Sequence, residues 1–149
     1  MTERYTIIVA LRPSVETGAV VPGHEFLMVE NRKRGNRWEL PGGHMIGREG
    51  AAACAAREFI EETGHELDGA RLVQRRSSTF GEGYVFLGRA GRRVGAPVEA
   101  EIGRIAYFPR LPALKELSFP DDPYPELFDA VRLALSREAR AAGSGRRGP

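Results

Sequence analysis

Between Gly42 and Gly64 the sequence "GGHMIGREGAAACAAREFIEETG" gathers three carboxylates, Glu58, Glu61 and Glu62, behind a Gly-Gly pair. On a helix, like charges three and four residues apart repel by roughly 0.2–0.5 kcal/mol per pair. A solvated face would relieve this with interspersed lysines, and the segment Gly50–Thr63 has none. Oxygen donors with no His or Cys among them suit a hard divalent cation, Mg²⁺ or Mn²⁺. Gly42 and Gly43 let backbone come close to a ligand. Metal ligation accounts for the cluster without naming a reaction.

A helix has to position these groups. Gly50–Thr63 reads as one, with Gly64 as its stop. At roughly 100° per residue, Ala52, Ala53, Phe59, Ile60 and Thr63 fall within about 60° of Ala56 and are expected to face the core. Glu61, Glu58 and Glu62 fall near ~140°, ~200° and ~240°, beside the small Ala51, Cys54 and Ala55, so the space above them is expected to be open. Glu49 is expected at the helix entrance, where a carboxylate meets the positive end of the dipole and can reach Arg57.

Around that helix, Tyr5–Pro13, His24–Arg32, Ala70–Phe80, Gly83–Ala90 and Glu101–Pro109 read as strands, with Gly81–Gly83 connecting the third and fourth. Arg32–Asn36 is a basic loop. Leu111–Pro125 is an irregular, proline-punctuated connection. Leu127, Phe128, Val131, Ala134 and Leu135 recur at helical spacing, which predicts a second helix from Glu126 to about Arg140. The residues beyond it, 141–149, have nothing to bury and are expected to be disordered. The prediction is a single α+β domain over 1–140, with a mixed sheet between two helices.

The 149 residues suit one domain, and 42% apolar with 28% charged residues is ordinary for a globular protein. A net charge of +2 makes no electrostatic case for nucleic acid. One cysteine, Cys54, excludes an internal disulfide. The N-terminus is charged at once, and no run nears the roughly 18 apolar residues of a membrane span. The expectation is a soluble, cytoplasmic protein off the membrane, and a homodimer is compatible with it.

The spacing resembles the Nudix box, G-x5-E-x7-R-E-U-x-E-E-x-G-U with U bulky and apolar. Gly43, Glu49, Arg57, Glu58, Glu61, Glu62 and Gly64 match every fixed position, while Phe59 and His65 depart mildly at the apolar ones. With "WELPGG" and the strand order, the similarity spans about residues 5 to 136. It implies the Nudix fold, an α/β/α sandwich, and divalent-metal hydrolysis of a nucleoside diphosphate linked to another group. By that resemblance Glu58 and Glu62 lead as metal ligands, and Glu61 is a further ligand or a water-positioning base. The Gly42 carbonyl is an additional ligand, and Arg57 orients the glutamates.

Some family members use a carboxylate outside the box, for which Glu99, Glu101, Glu116, Asp121 and Asp122 are the candidates. Arg104 stands where some relatives place a metal-binding glutamate. On the substrate side, Arg37, with Arg32, Lys33 and Arg34, could clasp phosphate, and Trp38 could stack on a base or fill the core. Gly43 allows close backbone approach. Arg75, Arg76, Arg92 and Arg93 read as a solvated strand edge. Nucleoside triphosphates are the favoured small-molecule substrates. The alternatives are ADP-ribose or a nucleotide sugar, or a nucleotide-sensing domain without catalysis, a reading the intact box disfavours.

Overall fold

Residues along the first predicted strand are apolar on both faces, the pattern of a strand covered on two sides. The computed structural model of the protein, which describes residues 3–78 and 81–145, agrees: Ile8, Val9 and Ala10 are fully buried. This strand, β1 (Arg4–Pro13), is central. It is followed by β2 (His24–Asn31), β3 (Arg37–Glu39), β4 (Gly42–His44), helix α1 (Ala51–Thr63), β5 (His65–Ser78), β6 (Gly81–Arg93), β7 (Ile102–Phe108) and helix α2 (Tyr124–Gly145). The sheet order is β3-β2-β1-β6-β5, with β7 on β2 and β4 on β1. β1 and β6 are parallel and the other pairs antiparallel.

Alternation then sorts the core into two layers. Ile8, Ala10, Leu27, Val29 and Phe86 meet Ala55 and Phe59 of α1. Val9, Leu11, Phe26, Met28, Val85 and Leu87 meet Leu127, Phe128 and Val131 of α2. The α/β/α sandwich with a mixed central sheet is therefore present. Among the described residues no helix is long and apolar enough to cross a membrane.

Several boundaries differ from expectation. Gly81–Gly83 is not a connection but the start of β6, because Gly83 pairs with Tyr5 and leaves room for its ring. A Cβ on Gly83 would stand 2.7 Å from the Tyr5 ring. Thr79 and Phe80, read as the end of the preceding strand, lie outside the described residues. Helix α2 runs through Gly145, past the expected end at Arg140; residues 146–149 of the expected tail lie outside the described residues.

The largest correction is the roll of α1. Its buried residues are Cys54, Ala55, Phe59, Glu62 and Thr63, while Ala52, Ala53 and Ala56 are exposed and Ile60 is 37% exposed. The packed face centres near Ala55, about 100° from the expected centre. Alanine gains little from burial, so an arc of alanines does not decide which side packs. Close approach decides it. Gly42 has φ +148°, and a Cβ there would lie 2.0 Å from the Thr6 carbonyl oxygen; one on Gly43 would lie 2.5 Å from the Glu58 carboxyl. The carboxylates accordingly face inward toward β4, not outward into open space.

Gly42→Ala is expected to lose at least about 2 kcal/mol of unfolding free energy, since both its backbone conformation and its surroundings reject a side chain. Urea denaturation measures this, and a loss below about 0.5 kcal/mol would contradict the packing described.

Candidate active site

Arg57 ties the entrance of α1 to its carboxylates. Its Nε donates to Glu49 Oε2 at 2.7 Å and its Nη2 to Glu49 Oε1 at 2.9 Å, a bidentate pair that fixes the guanidinium plane. Nη1 then reaches Glu58 Oε1 and Glu61 Oε2, each at 3.1 Å, and Nη2 also donates to the His44 carbonyl at 3.2 Å. Glu49 thus stands at the helix entrance as its position suggests. Held by Arg57, its carboxyl drops to about 2.

A third carboxylate joins Glu58 and Glu61 from outside the helix. One oxygen from each of Glu58, Glu61 and Glu99 lies within 4.8 Å of the others. Glu99 arrives on the loop after β6, whose Val98 and Glu99 amides both donate to the Glu61 carbonyl, at 2.9 and 3.1 Å. No local pattern singles Glu99 out from the other acidic candidates; two long-range hydrogen bonds do. Arg104 belongs elsewhere. Its Nη2 and Nε both donate to Glu30 Oε2, at 2.7 and 3.1 Å, one strand away on β2.

Glu62 is not in this group of three. Only 6% exposed, it accepts a hydrogen bond from the Gly42 amide at 2.8 Å, which fastens α1 to β4. Burial, then the nearby charges of Glu58, Glu39 and Glu99, push its carboxyl up to about 9. Burial likewise raises Glu58, with Glu61 adding to it against the opposing pull of Arg57. Glu99 is raised by burial and then by Glu101 and Glu61. Glu58, Glu61 and Glu99 form an all-oxygen donor set, the chemistry of a hard cation. The residues fit such an ion.

The expected substrate residues scatter. Gly43 abuts Glu58, so its missing side chain makes room for a carboxylate. Arg37 is exposed at the start of β3. Trp38 is buried, edge-on to Phe108 with centroids 4.9 Å apart, and the Arg104 guanidinium lies 5.2 Å over its ring. Within the basic loop, Arg34 pairs with Glu39 at 3.2 Å and Lys33 approaches Glu101 at 3.9 Å. Arg76 is no solvated edge residue; its side chain is 12% exposed and bonded to Asp122.

Over residues 12–132 the sequence matches the NUDIX domain. The chain belongs to the NUDIX family. As a Nudix protein with an intact box it falls in the pyrophosphohydrolase class of enzymes. Its fold is similar to a NUDIX hydrolase from Nitrosomonas europaea, with TM-score 0.57, 21% identity and 72% of each chain covered. It is similar to the Bacillus subtilis pyrophosphohydrolase BsRppH, solved as a mutant, with TM-score 0.67 and 17% identity over 89% of this chain and 83% of that one. An ADP-ribose pyrophosphatase from Streptococcus suis gives TM-score 0.58 and 18% identity over 94% and 92%. No curated protein matches the sequence significantly.

Glu62 makes the metal-free Nudix domain pH-sensitive. Its folded value, about 9, lies above the ordinary 4.5, so its contribution to stability is full below about 4.5 and is lost as pH rises toward 9. Unfolding free energy without metal is expected to fall across that window by up to about 1.4 kcal/mol per pH unit, and the melting temperature with it. Glu62→Gln is expected to flatten the profile. Equal slopes in the two proteins by differential scanning fluorimetry would count against a buried, protonated Glu62.

Proposed function

We propose that the protein hydrolyses a phosphoanhydride bond in a nucleoside diphosphate linked to another group, with Mg²⁺ or Mn²⁺, and that nucleoside triphosphates are its substrates. The observation that carries the reading is the meeting of Glu58 and Glu61 with Glu99 around a single point beside Gly43. Glu58, Glu61 and Glu99 would hold the ion, with Glu62 of α1 and the Gly42 carbonyl of β4 as further candidates. A divalent cation there supplies charge neutralisation for the diphosphate oxygens and acidifies a bound water.

The chain's own groups do the positioning. Arg57 offsets part of the repulsion between Glu58 and Glu61 and sets them in one orientation, since a single Nη1 donates to both. Glu99, on a loop and not on the helix, completes the donor set from outside α1, its loop fixed by the Val98 and Glu99 amides on the Glu61 carbonyl. The Gly42–Gly43 strand leaves backbone bare beside the site. The exposed Arg37 and the cations of the preceding loop offer charge to the distal phosphates, which favours a triphosphate over a sugar-linked diphosphate.

Incubated with Mg²⁺ and a panel of nucleoside triphosphates, ADP-ribose and nucleotide sugars, the protein is expected to release a nucleoside monophosphate. Glu58→Gln and Glu99→Gln are each expected to lower kcat about 100-fold or more. Tight binding of several compounds without turnover would favour the sensing alternative, and preferential cleavage of ADP-ribose would displace the triphosphate reading.

A further inference from the structure

Helix α1 is shorter than the strands it covers. Its 13 residues span about 20 Å, whereas the 13 of β6 span about 43 Å. Past Thr63 the α1 side of the sheet therefore loses its cover. Leu27 of β2 and its register partner Tyr107 of β7 lie there, beside Ile105 and Ala90. With Thr63, His65, Arg93 and Pro97 they line a pocket of about 410 Å³, inside the range of roughly 300–1,000 Å³ that holds small molecules.

The lining has a definite chemistry. Leu27, Ala90, Pro97 and Ile105 make its apolar part, and no acidic residue lines it. Arg93 is exposed at the rim; its Nε donates to the Gly95 carbonyl at 3.4 Å, and no carboxylate among the described residues pairs with it. The nearby cations are answered: Arg92 pairs with Glu66 at 3.1 Å, and Arg12, 4.0 Å over the Tyr107 ring, pairs with Glu25 at 3.6 Å. His65 Nδ1 donates to the Gly91 carbonyl at 2.9 Å, which leaves Nε2 of the neutral ring as an acceptor. The Tyr107 hydroxyl, raised by burial against the pull of Arg12, has no partner among the described residues. One free cation, one acceptor and one hydroxyl thus border an apolar floor.

The pocket also backs onto the loop that carries Glu99. Pro97 is the residue before Val98 and Glu99, whose amides hold the Glu61 carbonyl. At the loop's start the Val94 amide donates to the Gly64 carbonyl at 2.8 Å, and a Cβ on Gly64 would stand 2.2 Å from the Gly95 carbonyl oxygen. Side chains add little, since Val98 is 73% exposed.

We propose that this pocket is an effector site for a small anion with an apolar body, a one-ring carboxylate being the simplest case, and that its occupant steadies the 94–99 loop and with it Glu99. The carboxylate meets Arg93, the ring lies on Leu27 and Ile105 against Pro97, and a ring hydroxyl finds His65 Nε2 or Tyr107. Release of the loop would then require release of the ligand, so binding protects the loop's hydrogen bonds.

Two measurements on the metal-free protein decide it, and neither uses nucleotide, so they stand apart from the hydrolase reading. The first is titration, followed by NMR, with 4-hydroxyphenylacetate and with tyramine, which carries an ammonium on the same ring. The carboxylate is expected to bind with a Kd of about 1 mM or below, at least about tenfold more tightly than tyramine. Arg93→Gln, at an exposed position, is expected to remove that preference, and Ala90→Leu to fill the pocket and abolish binding. The second is amide hydrogen exchange. With 4-hydroxyphenylacetate at about ten times its Kd, exchange at Val98 and Glu99 is expected to slow by up to about tenfold. No binding, or equal binding of the two compounds, would overturn the site. An anion preference that survives in Arg93→Gln would overturn its placement in this pocket, whether or not Ala90→Leu folds. Binding that leaves exchange at Val98 and Glu99 unchanged would overturn the link to the loop.

Discussion

Removing several like charges from water into one small volume is the constraint on which this structure depends. Glu58, Glu61, Glu62 and Glu99 converge where α1 meets β4, with Glu39 close enough to act on Glu62. Arg57 answers part of that charge by pairing with Glu49, Glu58 and Glu61, yet burial still raises Glu58 and Glu62. An assembly of this kind is stable when protonated or when a cation replaces the protons. A fold that only needed a helix on a sheet would have no reason to keep it.

The surrounding architecture reads as support for that convergence. Glycines at 42 and 43 let β4 lie against both β1 and the helix, so that Glu62 can take the Gly42 amide and Glu58 can occupy the place of a side chain. The Gly64 stop ends α1 directly before β5, and the loop after β6 returns along the Glu61 carbonyl to deliver Glu99. On the opposite face, α2 and the segment before it close the second core layer. Each of these is a long-range contact serving a local charge problem.

Much of this was legible in the residues, and the part that was not has a physical reason. The box spacing places Arg57, Glu58, Glu61 and Glu62 along α1 and Glu49 at its entrance, because spacing on a helix is local geometry. The direction in which α1 faces is not legible there: its sides differ mainly in alanine against small residues and glutamate, so hydrophobicity holds little information. The glycines held more, as the positions that permit close approach. Glu99 is one of several acidic candidates in the sequence because tertiary hydrogen bonds select it. Arg76 looked like an edge residue because its partner lies 46 positions away.

The central claim is that a divalent cation replaces protons held on these crowded carboxyls. Calorimetric titration of the metal-free protein with Mg²⁺ near neutral pH, in two buffers of different ionisation enthalpy, counts those protons directly. The account predicts saturable binding with release of protons to the buffer, and a smaller release from Glu62→Gln. Binding with no buffer dependence, or no binding at all, would contradict it.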